Sequence, residues 1–195
     1  MEALFCPLSS DWGTWGDWIV GLISAGAVVF LGWKANQLGQ RANDIAHAAD
    51  KRVEESEARE ARALLLLIHE DVRAVLGRAR ALNADLQQEV DEAIYATHAS
   101  RRADVAHALI NMQLVSVLRV LPRIHVLPPV ALNAVTEAFG LQQVIGPTAV
   151  SLQGDGLEVG RLYEGHAAIR EAVIRLIAAL ETINEQATAV RDQRN

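Results

Sequence analysis

From Trp18 to Trp33 the chain reads WIVGLISAGAVVFLGW, a run with no charge and with Ser24 as its only polar side chain. A helix rises about 1.5 Å per residue, so residues 15–33 span roughly 28 Å, close to the hydrocarbon thickness of about 30 Å. Trp12, Trp15 and Trp18 bracket one end and Trp33, followed by Lys34, the other. Indole rings favour the headgroup boundary, so the bracket reads as an aromatic belt at both membrane interfaces. The pattern predicts one transmembrane helix over 15–33. A buried helix of a soluble protein is the alternative, against which the tryptophan bracket and the uncharged run both argue.

After the span the pattern changes. Leu38, Ala42, Ile45 and Ala49 recur at four, three and four residues, a short heptad-like seam. Charge then crowds the chain in DKRVEESEAREAR, residues 50–62. Residues 34–57 thus read as a helical stalk, either solvated or packed against copies of itself. A longer stripe then follows three-four spacing: Ala58, Ala61, Leu65, Ile68, Val72, Val75, Leu76, Ala79 and Leu82. It predicts a helix to about Ala96, central in a bundle because Leu64 to Ile68 is apolar all round. Ser100 offers an N-cap for a helix over 102–121 carrying Val105, Leu109 and Met112. Pro122, Pro128 and Pro129 then bar regular helix. A helix over 130–145, the loop GPTAVSLQGDGLEVG and a last helix over 157–190 complete the chain. No stretch alternates with period two for long enough to make a sheet.

The expected fold is therefore all-α: a single N-terminal transmembrane helix plus a cytoplasmic bundle of four or five helices. The boundaries are 1–14 for an extracytoplasmic N-terminus, 15–33 for the span, 34–57 for the stalk, 58–190 for the bundle and 191–195 for a tail. Charge sets the orientation. Lys34 and Arg41 follow the span and no Lys or Arg precedes it, so the positive-inside rule places the N-terminus outside and the bulk of the chain in the cytoplasm. The same lack of a positive n-region argues for an uncleaved anchor rather than a signal peptide. Cys6 is the only cysteine, so there is no disulfide framework. The formal net charge of −6 argues against a dedicated duplex nucleic-acid binder, which needs a broad basic surface.

No Walker loop, HExxH, GxSxG or cysteine–histidine site is present, and no cofactor or metal is expected. Gly154-Asp155-Gly156 reads as a plain turn ahead of an anion nest. His69, partly on an apolar face, reads as a core or boundary residue ahead of a ligand. The constellation worth weighing is R-x4-H, which occurs as Arg102/His107 and Arg161/His166. Five residues turn about 500°, so the two side chains of each pair diverge by about 140° on a straight helix. Surface or salt-bridge roles stand beside a catalytic one. In the latter, histidine serves as acid or base and arginine stabilises a phosphorane.

R-x4-6-H is the signature of HEPN domains, and the layout of one N-terminal span followed by a helical bundle resembles the small membrane accessory protein of type VI-B CRISPR systems. It is also similar to Hailong-type membrane effectors of bacterial anti-phage operons. The resemblance implies an inner-membrane effector that homo-oligomerises into a pore or ion channel and depolarises the infected cell. Its implied partners are other copies of itself, the lipid bilayer, and a nucleotide or RNA signal or a defence-operon protein. Ala103 and Leu162 follow the motif arginines where nuclease-type motifs carry an acid. A membrane-tethered RNase using Arg102, His107, Arg161 and His166, or a membrane-anchored scaffold, is the alternative.

The span carries a related signal. Gly21, Ser24, Ala25 and Gly32 gather small residues along one flank, and Gly21-x3-Ala25 is the spacing that lets helix backbones approach closely. A pore lined there is physically allowed. Ordinary membrane-helix composition explains the same residues.

Overall fold

The computed structural model describes residues 11–88, 90–154 and 156–192, with side chains from Ile19 onward. Cys6, the side chains of Trp12, Trp15 and Trp18, Asp155 and the last three residues lie outside the described residues. The elements are α1 (Asp11–Leu86), α2 (Asp91–Thr97), α3 (Ala99–Ile110), α4 (Val115–Val120), a 3-10 helix (Leu121–Val126), α5 (Pro129–Ser151) and α6 (Val159–Asp192). The chain is all-helical, with no strand among the described residues. It divides into two compact units, Met1–Glu54 and Glu55–Asn195.

In the first unit every described side chain from Ile19 to Asn36 is exposed, among them Leu22, Ile23, Val28, Val29 and Leu31. This helix is long and apolar enough to cross a membrane. Leu38 and Ile45 of the heptad-like seam are exposed as well. Lys34 folds back, its Nζ 5.5 Å from the Trp33 ring centroid and 6.0 Å from that of Phe30.

The second unit is built on one apolar core. Leu65, Ile68, Val72, Val75, Leu76, Ala79 and Leu82 face it, as their spacing predicts, and Ala61 is buried as well, whereas Ala58 of the same stripe is exposed. Leu67 is exposed, so α1 presents one face to the core rather than being enclosed on every side. α5 packs along α6, α3 against α5, and α2 against both α3 and α6. Exposed ion pairs join the elements: Arg80 with Glu181 at 2.7 Å, Arg175 with Glu137 at 2.7 Å and Arg123 with Glu60 at 2.7 Å. Each is worth little in water, roughly 1 kcal/mol or less.

Three boundaries differ from the sequence expectation, each for a tertiary reason. The helix expected to reach Ala96 ends at Leu86, and α2 sets off anew at Asp91. Continued straight, α1 would carry Tyr95 about 13 Å past its own last turn; breaking it lets Tyr95 and Ala96 enter the core.

The helix expected over 102–121 is split into α3 and α4. Side chains from distant helices take over the freed backbone groups. Gln142 of α5 donates from Nε2 to the Met112 carbonyl and accepts the Leu114 N–H at Oε1. Asp71 of α1 accepts both the N–H (2.9 Å) and the hydroxyl (2.6 Å) of Ser116, capping α4 from another helix. Arg78 donates to the Asn111 carbonyl at 2.9 Å. The N-cap of α3 is His98, in extended backbone conformation, and Ser100 lies inside the helix.

The third difference is that α5 runs through Pro147 to Ser151. Proline removes one backbone donor, and burial of Ile145, Gly146 and Ala149 offsets that loss. The expected loop shortens accordingly, and Gly156, at φ +84°, makes its left-handed turn.

Candidate functional site

The described charged or polar side chains buried in the second unit are His69, Asp91, Arg102 and His166. Three of them meet where α2, α3 and α6 join. Asp91 opens α2, and its carboxylate binds two partners. Oδ1 accepts from Arg101 Nε and Nη2, both at 2.7 Å, and Oδ2 lies 3.1 Å from His166 Nε2. One carboxylate thus ties α2 to α3 through arginine and to α6 through histidine. Four residues on, one helical turn away, the Tyr95 ring packs against the His166 ring at 5.1 Å between centroids and 56° between planes. Arg102 closes the far end of α2, donating from Nη1 to the carbonyls of Tyr95 (3.2 Å) and Ala96 (3.4 Å). A cation on the last carbonyls of a helix also complements its dipole.

The close fit extends to the backbone. Gly165 precedes His166, and a Cβ there would overlap Leu152 Cδ1. A side chain at 165 would therefore require the buried Leu152 side chain to shift.

Tyr95 is fully buried, and its hydroxyl has no hydrogen-bond partner among the described residues. Burial pushes the phenol pKa above 10.0, and the nearby Arg102 guanidinium partly opposes that rise. The phenol therefore stays protonated throughout the physiological range. An orphaned buried hydroxyl costs about 1–3 kcal/mol. Tyr95→Phe is thus expected to raise stability by about 1 kcal/mol, read as a higher midpoint in thermal unfolding. A loss of similar size would mean that the hydroxyl is paired in solution.

The arrangement regroups the sequence motifs. Within each R-x4-H pair one member is buried and the other exposed: Arg102 and His166 are inside, His107 and Arg161 outside. The divergence of about 140° within each pair has this consequence. The buried members of the two motifs share the α2 junction, and His166 is 2% exposed. That burial leaves no room for a phosphodiester beside its ring. The sequence also holds Arg41/His47 and Arg62/His69 within the R-x4-6-H spacing; of these Arg41, His47 and Arg62 are exposed and His69 is buried, its Nδ1 3.7 Å from Glu70 Oε1. Among the described residues no group of three or more His, Cys, Asp or Glu side chains is placed to hold a metal ion.

In the first unit Gly21, Ser24, Ala25 and Gly32 are all exposed. Their spacing puts Gly21, Ala25 and Gly32 within about 40° of one another around the helix, with Ser24 about 60° to one side. A Cβ on Gly21 or Gly32 would meet nothing within 4 Å. Asp91, Tyr95 and Arg101 were not distinguishable in the sequence from surface residues, because nothing local marks an acid that will be buried by two other helices.

Comparison of the chain with family models, curated proteins and solved structures gives no match.

Proposed function

We propose that the chain is a single-pass inner-membrane protein, oriented with its bulk in the cytoplasm, whose copies associate through residues 15–33 to form an ion-conducting pore. The observation that carries this reading is the run from Ile19 to Trp33, uncharged and exposed around its whole circumference. Water penalises such a surface, since soluble monomers rarely expose more than a few hundred Å2 of contiguous apolar patch. Lipid, or other copies of the same helix, accepts it. In a second apolar stretch, Ala99–Val126, 39% of the most apolar 18 residues are buried and the helix is interrupted at the Asn111–Leu114 turn, which suits a core segment. The Gly21/Ala25 flank supplies the contact between copies. The Asp91–His166–Arg101 clamp supports a structural role for the second unit, as an assembly and sensing domain. Its signal would be a nucleotide, an RNA or a defence-operon partner, as in the anti-phage effectors the layout resembles.

The test is conductance of the purified full chain in planar bilayers. Gly21→Leu combined with Ala25→Leu is expected to reduce it about ten-fold or more, because bulky side chains keep helix backbones apart. A Cβ at Gly21 meets nothing within 4 Å, and both positions are exposed, so neither substitution displaces a packed neighbour. His107→Ala and Arg161→Ala, both at exposed positions, are expected to leave conductance unchanged. Absence of conductance, together with RNA cleavage abolished by His107→Ala, would sink the channel in favour of the tethered RNase.

A further inference from the structure

Away from the buried clamp, a half-open cleft of about 570 Å3 lies between the end of α3, the turn before α4 and the second half of α5. Ile110, Leu114, Leu118, Phe139 and Val150 make its apolar walls. No Asp, Glu, Lys, Arg or His lines it among the described residues. Its polar groups divide into two sets. Gln142 is committed to Met112 and Leu114, and Ser151 Oγ donates to the Thr148 carbonyl. Gln113 and Gln143 keep their amides uncommitted among the described residues.

Size and charge narrow the occupant. One turn of an α-helix with its side chains, about 10 Å across and about 5.4 Å long, already fills roughly 420 Å3. The cleft therefore holds little more than a single turn and does not seat a partner helix. Its volume lies within the range of small-molecule sites, about 300–1,000 Å3. With no cation in the lining, a carboxylate or phosphate would lose hydration without gaining a countercharge.

We propose that the cleft binds an uncharged amphiphile. The apolar chain lies against Ile110, Phe139 and Val150, and the hydroxyl and ester groups of the head meet the side-chain amides of Gln113 and Gln143. This is the chemistry of a monoacylglycerol. The proposal is independent of the pore reading, since it rests on the second unit alone.

The test uses the full chain in phosphatidylcholine nanodiscs and a monolauroylglycerol that carries a photoreactive group in its acyl chain. Crosslinks are expected within residues 109–118 and 139–151. Unlabelled monolauroylglycerol should displace them, and laurate, with the same chain and a charged head, should do so about ten-fold less effectively. Ile110→Trp and Val150→Trp fill the cleft from rim positions that are 43% and 44% exposed. Each should cut crosslinking about ten-fold with the far-UV circular dichroism unchanged. Crosslinks confined to residues 19–33 would overturn the proposal. So would equal competition by laurate, or crosslinking that survives both tryptophan variants. The laurate comparison needs no variant, so it decides even where a tryptophan disturbs the fold.

Discussion

Asp91→Ala is expected to lower the stability of the second unit by about 3 kcal/mol, the largest single-residue effect anticipated in that unit. The Asp91 side chain is 7% exposed and holds two partners from two other helices. Deleting it leaves His166, itself 3% exposed at the side chain, facing a cavity without its acceptor. Removing one member of a buried charged pair typically costs about 3–5 kcal/mol. Here the low end applies, because Arg101 retains 22% side-chain exposure and can turn to water. For a unit of this size the midpoint of thermal unfolding should fall by roughly 10 °C, measured by circular dichroism on the full chain in detergent. Asp91→Asn keeps an acceptor for Arg101 and a polar partner for His166, and should lose only about 1–2 kcal/mol. Amide exchange should rise first in α2, whose seven residues have little intrinsic stability apart from these contacts. An alanine variant as stable as the parent would mean that the three helices are held by apolar packing alone. The contrast with Tyr95→Phe is diagnostic: at neighbouring positions of one helix, losing a paired group destabilises and losing an orphaned one stabilises.

The parts of this fold that sequence made legible are those written in a single helix. The α1 stripe from Ala61 to Leu82 is buried, and on α6, where Leu162, Ala168, Val173, Leu176, Ile177, Leu180 and Ile183 read as apolar positions, all are buried except Ile177, which is half-buried, and Ala168, which is exposed. Their three-four spacing is a local property that needs no knowledge of the partner helices. The breaks were not legible, because their causes are remote. Nothing near Asn111 announces a turn; it exists because Gln142 and Asp71, 30 and 45 residues away from their respective partners Met112 and Ser116, satisfy the freed backbone groups. Pro147 misled in the opposite direction. Local chemistry marks proline as a helix end, yet burial of Ile145 and Ala149 carries α5 past it. The candidate site shows the same limit. The R-x4-H spacing drew attention to Arg102 and His166, but as members of two separate pairs. Their association through α2 depends on Asp91, which reads in sequence as one surface acid among 24 acidic residues.

Ile23→Asp together with Val28→Asp should abolish membrane retention. Both positions lie in the uncharged run and are about two-thirds exposed. On the insertion scale an aspartate near a helix centre costs about 2.5–3.5 kcal/mol, while the Ile or Val it replaces contributes about 0.3–0.6 kcal/mol. Two substitutions shift the balance by roughly 6–8 kcal/mol, or on the order of 10^4 to 10^6 in partition, at about 1.4 kcal/mol per ten-fold. The measurement is the share of chain that stays in the membrane pellet after alkaline carbonate extraction. The wild type should remain almost entirely in the pellet and the double variant should leave it. Leu67→Asp, an exposed apolar site on the second unit, should change nothing, since no lipid contact is lost there. A double variant that still resists extraction would show that these residues do not sit in hydrocarbon, and the pore would lose its basis along with the anchor. Because Cys6 is the only cysteine, a membrane-impermeant maleimide also reads orientation without further engineering. Labelling in intact cells is expected if the N-terminus faces outward, as Lys34 and Arg41 on the opposite flank require. Labelling only after lysis would reverse the proposed topology.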